Sequence, residues 1–191
     1  MKKRSVIILA IFIIPIVNCL AQNEINFKPK QLIKEINNQY KCDNPVFAEL
    51  ENNSNLVLDT INEKFFKITN STQIGYIYVG RVKTCRAGVC SVPDKFKSKD
   101  SYEFFDYFIL FDTLARILSV NIFNYEATHG QEISVKSWLK QFVGYDGSDE
   151  LNVGKNIDAI SGATISVHSI TFDISSKTKV LKKYIFETKY N

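Results

Sequence analysis

Tyr102-Glu103-Phe104-Phe105-Asp106-Tyr107-Phe108-Ile109-Leu110-Phe111-Asp112 is a nearly unbroken apolar run. Asp112-Thr113-Leu114-Ala115 closes it, and Arg116 to Tyr125 follows with Ile117, Leu118, Val120, Ile122 and Phe123 as its apolar side chains. Aromatic and β-branched side chains suit a pleated surface, so both runs read as strands. The short turn between them makes the pair an antiparallel hairpin, with the first strand buried. The fold class expected from it is α+β: an antiparallel sheet with helices packed on it, in a single domain.

Upstream, Ile74-Gly75-Tyr76-Ile77-Tyr78-Val79-Gly80-Arg81-Val82 is rich in β-formers and reads as another strand, behind a turn at Thr69-Asn70-Ser71-Thr72. Leu56 to Ile68 is ambiguous in phase between strand and helix. Leu32, Ile33, Ile36 and Tyr40 fall at helical spacing within Gln31 to Tyr40, and Pro45 to Leu50 reads as a second helical piece. Downstream, Thr128-His129-Gly130-Gln131-Glu132 is a polar turn. Val135, Trp138, Leu139 and Phe142 share one helical face, predicting a helix from about Ser134 to Val143 that stops at Gly144. Tyr145 to Gly154 is a polar loop. Val167, Ile170, Ile174, Leu181 and Tyr184 keep helical phase near the C-terminus, although β-branched residues at the start of that segment work against a helix.

The 191 residues are 45% hydrophobic, enough for one domain with a sizeable core and unlike a disordered composition. Lys2, Lys3 and Arg4 precede an apolar stretch from Val6 to Val17. Cys19-Leu20-Ala21 then offers small residues for cleavage before Gln22. Residues 1–21 therefore read as a secretory signal peptide, with an apolar run too short for a comfortable membrane span. Lipid anchoring at Cys19 is the alternative, and Asn18 fits it poorly. The expected location is exported, periplasmic or secreted. Of 24 basic residues the leader holds three and no acid, so a net charge of +4 falls to +1. So small a surplus gives no support to nucleic-acid binding.

Export implies a compartment that permits disulfides. Gly88 within Cys85-Arg86-Ala87-Gly88-Val89-Cys90 lets the ends of that loop meet, so a Cys85–Cys90 disulfide is expected and Cys42 is the odd thiol. Pairing of Cys42 with either of the other two stays open. The histidines, His129 and His168, are far apart in sequence, and no metal site is expected.

Asp158-Ala159-Ile160-Ser161-Gly162-Ala163-Thr164-Ile165-Ser166 turns sharply into the last helix. Ser161 is a good N-cap type, Gly162 permits a backbone that a side chain forbids, and Thr164 falls in the first turn. First-turn N–H groups and the helix dipole favour a phosphate there. Taken locally, a capped helix start is the plain alternative.

The run Asp158 to Thr164 resembles the flavinylation motif of the FMN-binding domain family: Asp, small, aliphatic, Ser-Gly-Ala, then Thr or Ser. The family includes the flavin-carrying subunits of the sodium-pumping NADH:quinone reductase and of the Rnf complex. The Gly75 to Tyr78 strand, the Phe105 to Tyr107 strand entry, and the Tyr125 to Phe142 segment with its Gly-x-Glu turn and Trp-Leu-x-x-Phe helix are similar to small exported members. The resemblance spans roughly Ile74 to Ser175. It implies an FMN-binding domain at 74–191, following the signal peptide at 1–21 and a helical or irregular extension at 22–73 that the resemblance does not cover. It also implies FMN held covalently by a phosphoester at Thr164, installed from FAD by a flavin transferase. Ser161, Gly162, Ala163 and Asp158 would shape the attachment turn. Trp138, Tyr125, Glu132 and Gly130 would approach the flavin. The function implied is an exported electron carrier, rather than an enzyme with its own substrate. It would serve a membrane-bound or exported redox partner and touch the membrane only through partners. A thiol–disulfide protein using Cys85 and Cys90, or a non-redox binding protein that kept the fold, are the alternatives.

Overall fold

The structure, a computed structural model, describes residues 24–42, 44–51, 58–59, 61–85 and 102–190, apart from the side chains of Cys85, Tyr102, Lys189 and Tyr190. The leader (1–21), Cys19 and Cys90 lie outside the described residues, as does the side chain of Cys85.

Five strands form one antiparallel sheet in the order of the chain: β1 (Phe47–Glu49), β2 (Glu63–Ile68), β3 (Tyr76–Cys85), β4 (Tyr102–Phe111) and β5 (Ile117–Tyr125). The β4–β5 hairpin is the one read from sequence. Its turn is fixed by Asp112, whose Oδ1 accepts from the N–H groups of Leu114 and Arg116, both at 2.8 Å, an arrangement suited to Asp in turns. β4 is apolar at nearly every position because the sheet is covered on both faces. Phe105, Tyr107, Ile109 and Phe111 pack on one side. Phe108 and Leu110 pack on the other. Leu118 and Phe123 are bulged out of the β5 register, and bulges discourage further pairing at a sheet edge.

Helix α1 (Lys30–Tyr40) covers the second face, burying Leu32 and Ile36 completely against Ile77, Val79, Phe108 and Leu110. The first face takes α2 (Lys136–Leu139) and the long α3 (Thr164–Tyr190). Val167, Ile170, Ile174 and Leu181 are fully buried along α3, each contributing about 1.5–3 kcal/mol. That stripe outweighs the poor helix propensity of the β-branched residues at its start.

The described part of residues 22–73 does not stand aside from the sheet. It supplies α1, β1 and β2, and β2 pairs with β3 from Glu63↔Gly80 to Lys67↔Tyr76. The ambiguous apolar phase before Ile68 resolves as strand because Phe65 and Phe66 are buried on opposite faces. A helix expected over Pro45 to Leu50 is instead β1, paired with β2 through Phe47↔Ile68; pairing with an available edge overrides a weak local preference. The helix expected over Ser134 to Val143 is broken. Gln131–Ser134 is a 3-10 turn, Val135 after it is extended, and α2 then runs directly into a 3-10 turn at Lys140–Phe142. Trp138, Leu139 and Phe142 reach the core, while Val135, expected on the same face, is exposed.

Cys42 is a buried free thiol whose Sγ donates to Asn70 O at 3.5 Å, at the turn that begins β3. Cys85 ends the ten-residue β3, roughly 30 Å away along the strand. A disulfide needs Cα atoms within about 7 Å, so a Cys42–Cys85 pair is ruled out.

Candidate functional site

The site is built where residues 158–163 deliver the chain into α3. The segment is clamped from the α2 side. Trp138 Nε1 donates to Asp158 O at 2.9 Å, and Asp158 N donates to Gln141 Oε1 at 2.8 Å. Gln141 Nε2 in turn donates to Trp138 O. Trp138 is buried and stacks edge-on to Phe142, so its ring is core and its N–H is the handle. The Asp158 carboxylate side is exposed.

Ala163 N donates to Ile160 O at 3.1 Å, closing a turn in which Gly162 has φ +83°. The first helical hydrogen bond runs from Val167 N to Ala163 O at 2.9 Å. Ala163, not Ser161, is therefore the N-cap residue. It contributes no side-chain oxygen and is anchored instead by burial, at 2% exposure. Ser161, Gly162 and Thr164 are exposed. Thr164 is the first residue of α3, and no acidic side chain stands in that first turn to offset its positive end.

Ser166, two residues on, faces the opposite way. It is 3% exposed. Its Oγ lies 3.2 Å from Tyr125 OH and 3.4 Å from Thr84 Oγ1. Tyr125 OH also donates to His129 O at 2.7 Å, and its ring stacks on Phe105 at 5.5 Å. Burial raises its phenol above the ordinary value. Gly130, buried with φ +87°, passes so close that a Cβ would stand 2.7 Å from Ser166 Oγ. The polar turn is thus pressed against the first turn of α3. Glu132 is exposed in the next turn, near enough for its charge to help keep the Tyr125 phenol protonated.

The same turn carries a directed chain of groups. Glu103 accepts from Thr128 N at 2.8 Å and from Thr128 Oγ1 at 2.9 Å. With its one proton given to the carboxylate, Thr128 Oγ1 accepts from His129 Nδ1, 3.0 Å away. That arrangement makes His129 Nδ1 the donor, on an exposed ring. His168, also exposed, sits one turn beyond Thr164 on α3.

A second polar group staples α3 to the sheet farther along. Asp173 Oδ2 accepts from Tyr107 OH at 2.6 Å and from Tyr78 OH at 3.4 Å. Tyr78 OH also donates to Glu63 Oε2 at 2.8 Å, and Lys177 pairs with Glu63. Burial pushes both phenols well above their ordinary range and raises the Asp173 carboxyl, while Lys177 opposes the latter shift.

Of the residues singled out from sequence, the fold brings Ser161, Gly162, Ala163 and Thr164 into one turn, Trp138 onto Asp158, and Tyr125 onto Gly130. Glu132 stands at the edge of the last pair. Ser166, Thr84, Gln141, Glu103 and Thr128 complete the site and were not foreseen. Ser166 lies inside the quoted motif, Gln141 and Thr84 reach that motif from 17 and 82 residues away, and Glu103 meets Thr128 of the polar turn from 25. Among the described residues, no three metal-ligating side chains cluster, and no helix is long and apolar enough to cross a membrane.

No family model matches the chain, and no curated protein matches it.

A phosphate-linked group fits the residues present. An exposed hydroxyl stands on first-turn N–H groups, beside a glycine whose Cβ position has nothing within 4 Å.

Proposed function

We propose that the protein is an exported electron-transfer flavoprotein of the FMN-binding-domain type, with FMN attached through a phosphoester to Thr164. The observation that carries the proposal is the contrast between two hydroxyls of one helical turn. Thr164 is exposed at the first position of α3, whereas Ser166 is buried against Tyr125 and Thr84. A transferase can reach only the first. Attachment makes one bond, Thr164 Oγ1 to phosphorus, and breaks the pyrophosphate of FAD. AMP leaves, and the hydroxyl proton goes to a base on the transferase.

When bound, FMN supplies reversible electron transfer, and the chain supplies tether, orientation and field. Thr164, Ile165 and Ser166 present first-turn N–H groups to the phosphate. Gly162 keeps the approach open, and Ala163 pins the turn to the core. Gln141 and Trp138 hold Asp158, fixing the direction in which the segment enters α3. Tyr125, Gly130 and Glu132 form the neighbouring wall. The signal peptide places the carrier outside the cytoplasm, where a covalent tether prevents loss of the cofactor. Its partners are the transferase and a membrane-bound or exported redox protein.

The test is co-expression with an active flavin transferase in an exporting host, followed by a denaturing gel viewed for flavin fluorescence. Wild type, Thr164→Ser and Ser166→Ala should give a fluorescent band, and Thr164→Ala a dark one. A dark wild-type band overturns the proposal.

A further inference from the structure

Between α1, β5 and the α2 segment lies a cavity of about 540 Å³, within the size range of small-molecule sites. No residue from 158 to 166 lines it. Glu35 enters from the buried face of α1 at 8% exposure, and Asn121 Nδ2 donates to its Oε2 at 2.5 Å. Among the described residues, no basic side chain forms an ion pair with Glu35. A buried carboxylate held by one amide is poorly compensated.

Ser119 also lines the cavity. Its Oγ is shut off from solvent, with the Tyr40 phenol beside it. On the α2 side, the exposed Lys136 and Lys140 stand one turn apart, with Val143 beside them as an exposed apolar surface.

We propose that this cavity binds a small zwitterion with an apolar body. Its ammonium pairs with Glu35, its carboxylate meets Lys136 and Lys140, and its aliphatic part lies along Val143. A purely anionic guest leaves Glu35 uncompensated, and a purely cationic one faces two lysines. The two ends of the cavity therefore select opposite charges on one molecule.

The test uses the full chain without flavin, so its outcome is independent of the flavin proposal. ε-Aminocaproate, hexylamine and caproate are titrated by calorimetry. Saturable binding of ε-aminocaproate is expected, with each singly charged analogue about 10-fold weaker or more, as loss of one charge-assisted contact implies. Glu35→Gln keeps an acceptor for Asn121 and should weaken ε-aminocaproate by about 10-fold without weakening caproate. Lys136→Met with Lys140→Met should weaken ε-aminocaproate without weakening hexylamine. Any of three results overturns the proposal: no saturable binding to folded wild type, equal affinity for all three compounds, or wild-type affinity in folded Glu35→Gln.

Discussion

Gly130 and Gly162 share one backbone conformation, φ +87° and +83°, in different surroundings. A Cβ on Gly162 would meet nothing within 4 Å, whereas one on Gly130 would stand 2.7 Å from Ser166 Oγ and 3.0 Å from Tyr125 OH. Gly162→Ala therefore isolates the left-handed backbone, at about 1–2 kcal/mol. Gly130→Ala carries the same strain and also displaces the Ser166 hydroxyl. That breaks the contacts of Ser166 with Tyr125 at 3.2 Å and with Thr84 at 3.4 Å. Two hydrogen bonds at about 1 kcal/mol each bring the expected loss to about 3–4 kcal/mol. Ser166→Ala removes the nearest atom but leaves Ser166 Cβ at 3.2 Å. In that background both hydrogen bonds are already gone, so the added cost of Gly130→Ala should shrink by about 2 kcal/mol, leaving the backbone strain. Urea unfolding at fixed pH, with slopes compared across variants, measures all four variants against wild type. Equal losses for the two glycine variants would refute the close approach of the turn to α3. So would a Gly130→Ala cost that Ser166→Ala leaves unchanged.

Two further predictions concern the sheet and its staple to α3. Asp173 has a carboxyl raised by burial above its ordinary 3.8, with Lys177 opposing. A raised folded value gives stability that is fully present below the unfolded value and lost as pH rises through the folded one. The stability of wild type relative to Asp173→Asn, which keeps an acceptor for Tyr107, should therefore fall as pH rises from about 4. A difference in urea midpoints that stays flat with pH contradicts this. Arg81 grips Asp106 in two-point fashion, Nε to Oδ1 at 2.7 Å and Nη2 to Oδ2 at 2.9 Å, and lies over the Phe104 ring at 3.7 Å. Asp106→Ala should cost about 1–3 kcal/mol by removing the carboxylate that the Arg81 guanidinium and Asn124 Nδ2 share, and Arg81→Met with Asp106→Leu should recover much of it. A double variant no more stable than Asp106→Ala argues against the lost carboxylate as the cause.

Much of the fold was legible because its signals are local. The β4–β5 hairpin announces itself through composition and an Asp-led turn, and α1 and α3 through apolar spacing. β1 was not legible, since three residues with no alternating burial carry no period. β2 was ambiguous because Phe65 and Phe66 are both buried, a pattern that only a sheet covered on two faces produces. The α2 region buried Trp138, Leu139 and Phe142 as their spacing predicts, but its helix begins only after the extended, exposed Val135.

At the candidate site the division is sharper. The sequence by itself determined the Ser161-Gly162-Ala163-Thr164 turn, because a helix start and a residue without a side chain are properties of neighbouring positions. Only the tertiary structure decided which hydroxyl faces solvent. Thr164 and Ser166 are chemically alike and two residues apart, and a helix turns them about 200° from one another. Packing of β3, β5 and the Gly130 turn then buries one and leaves the other open. The cap passed from Ser161 to Ala163 for the same reason: the core holds the Ala163 methyl, and the helix begins where that anchor permits.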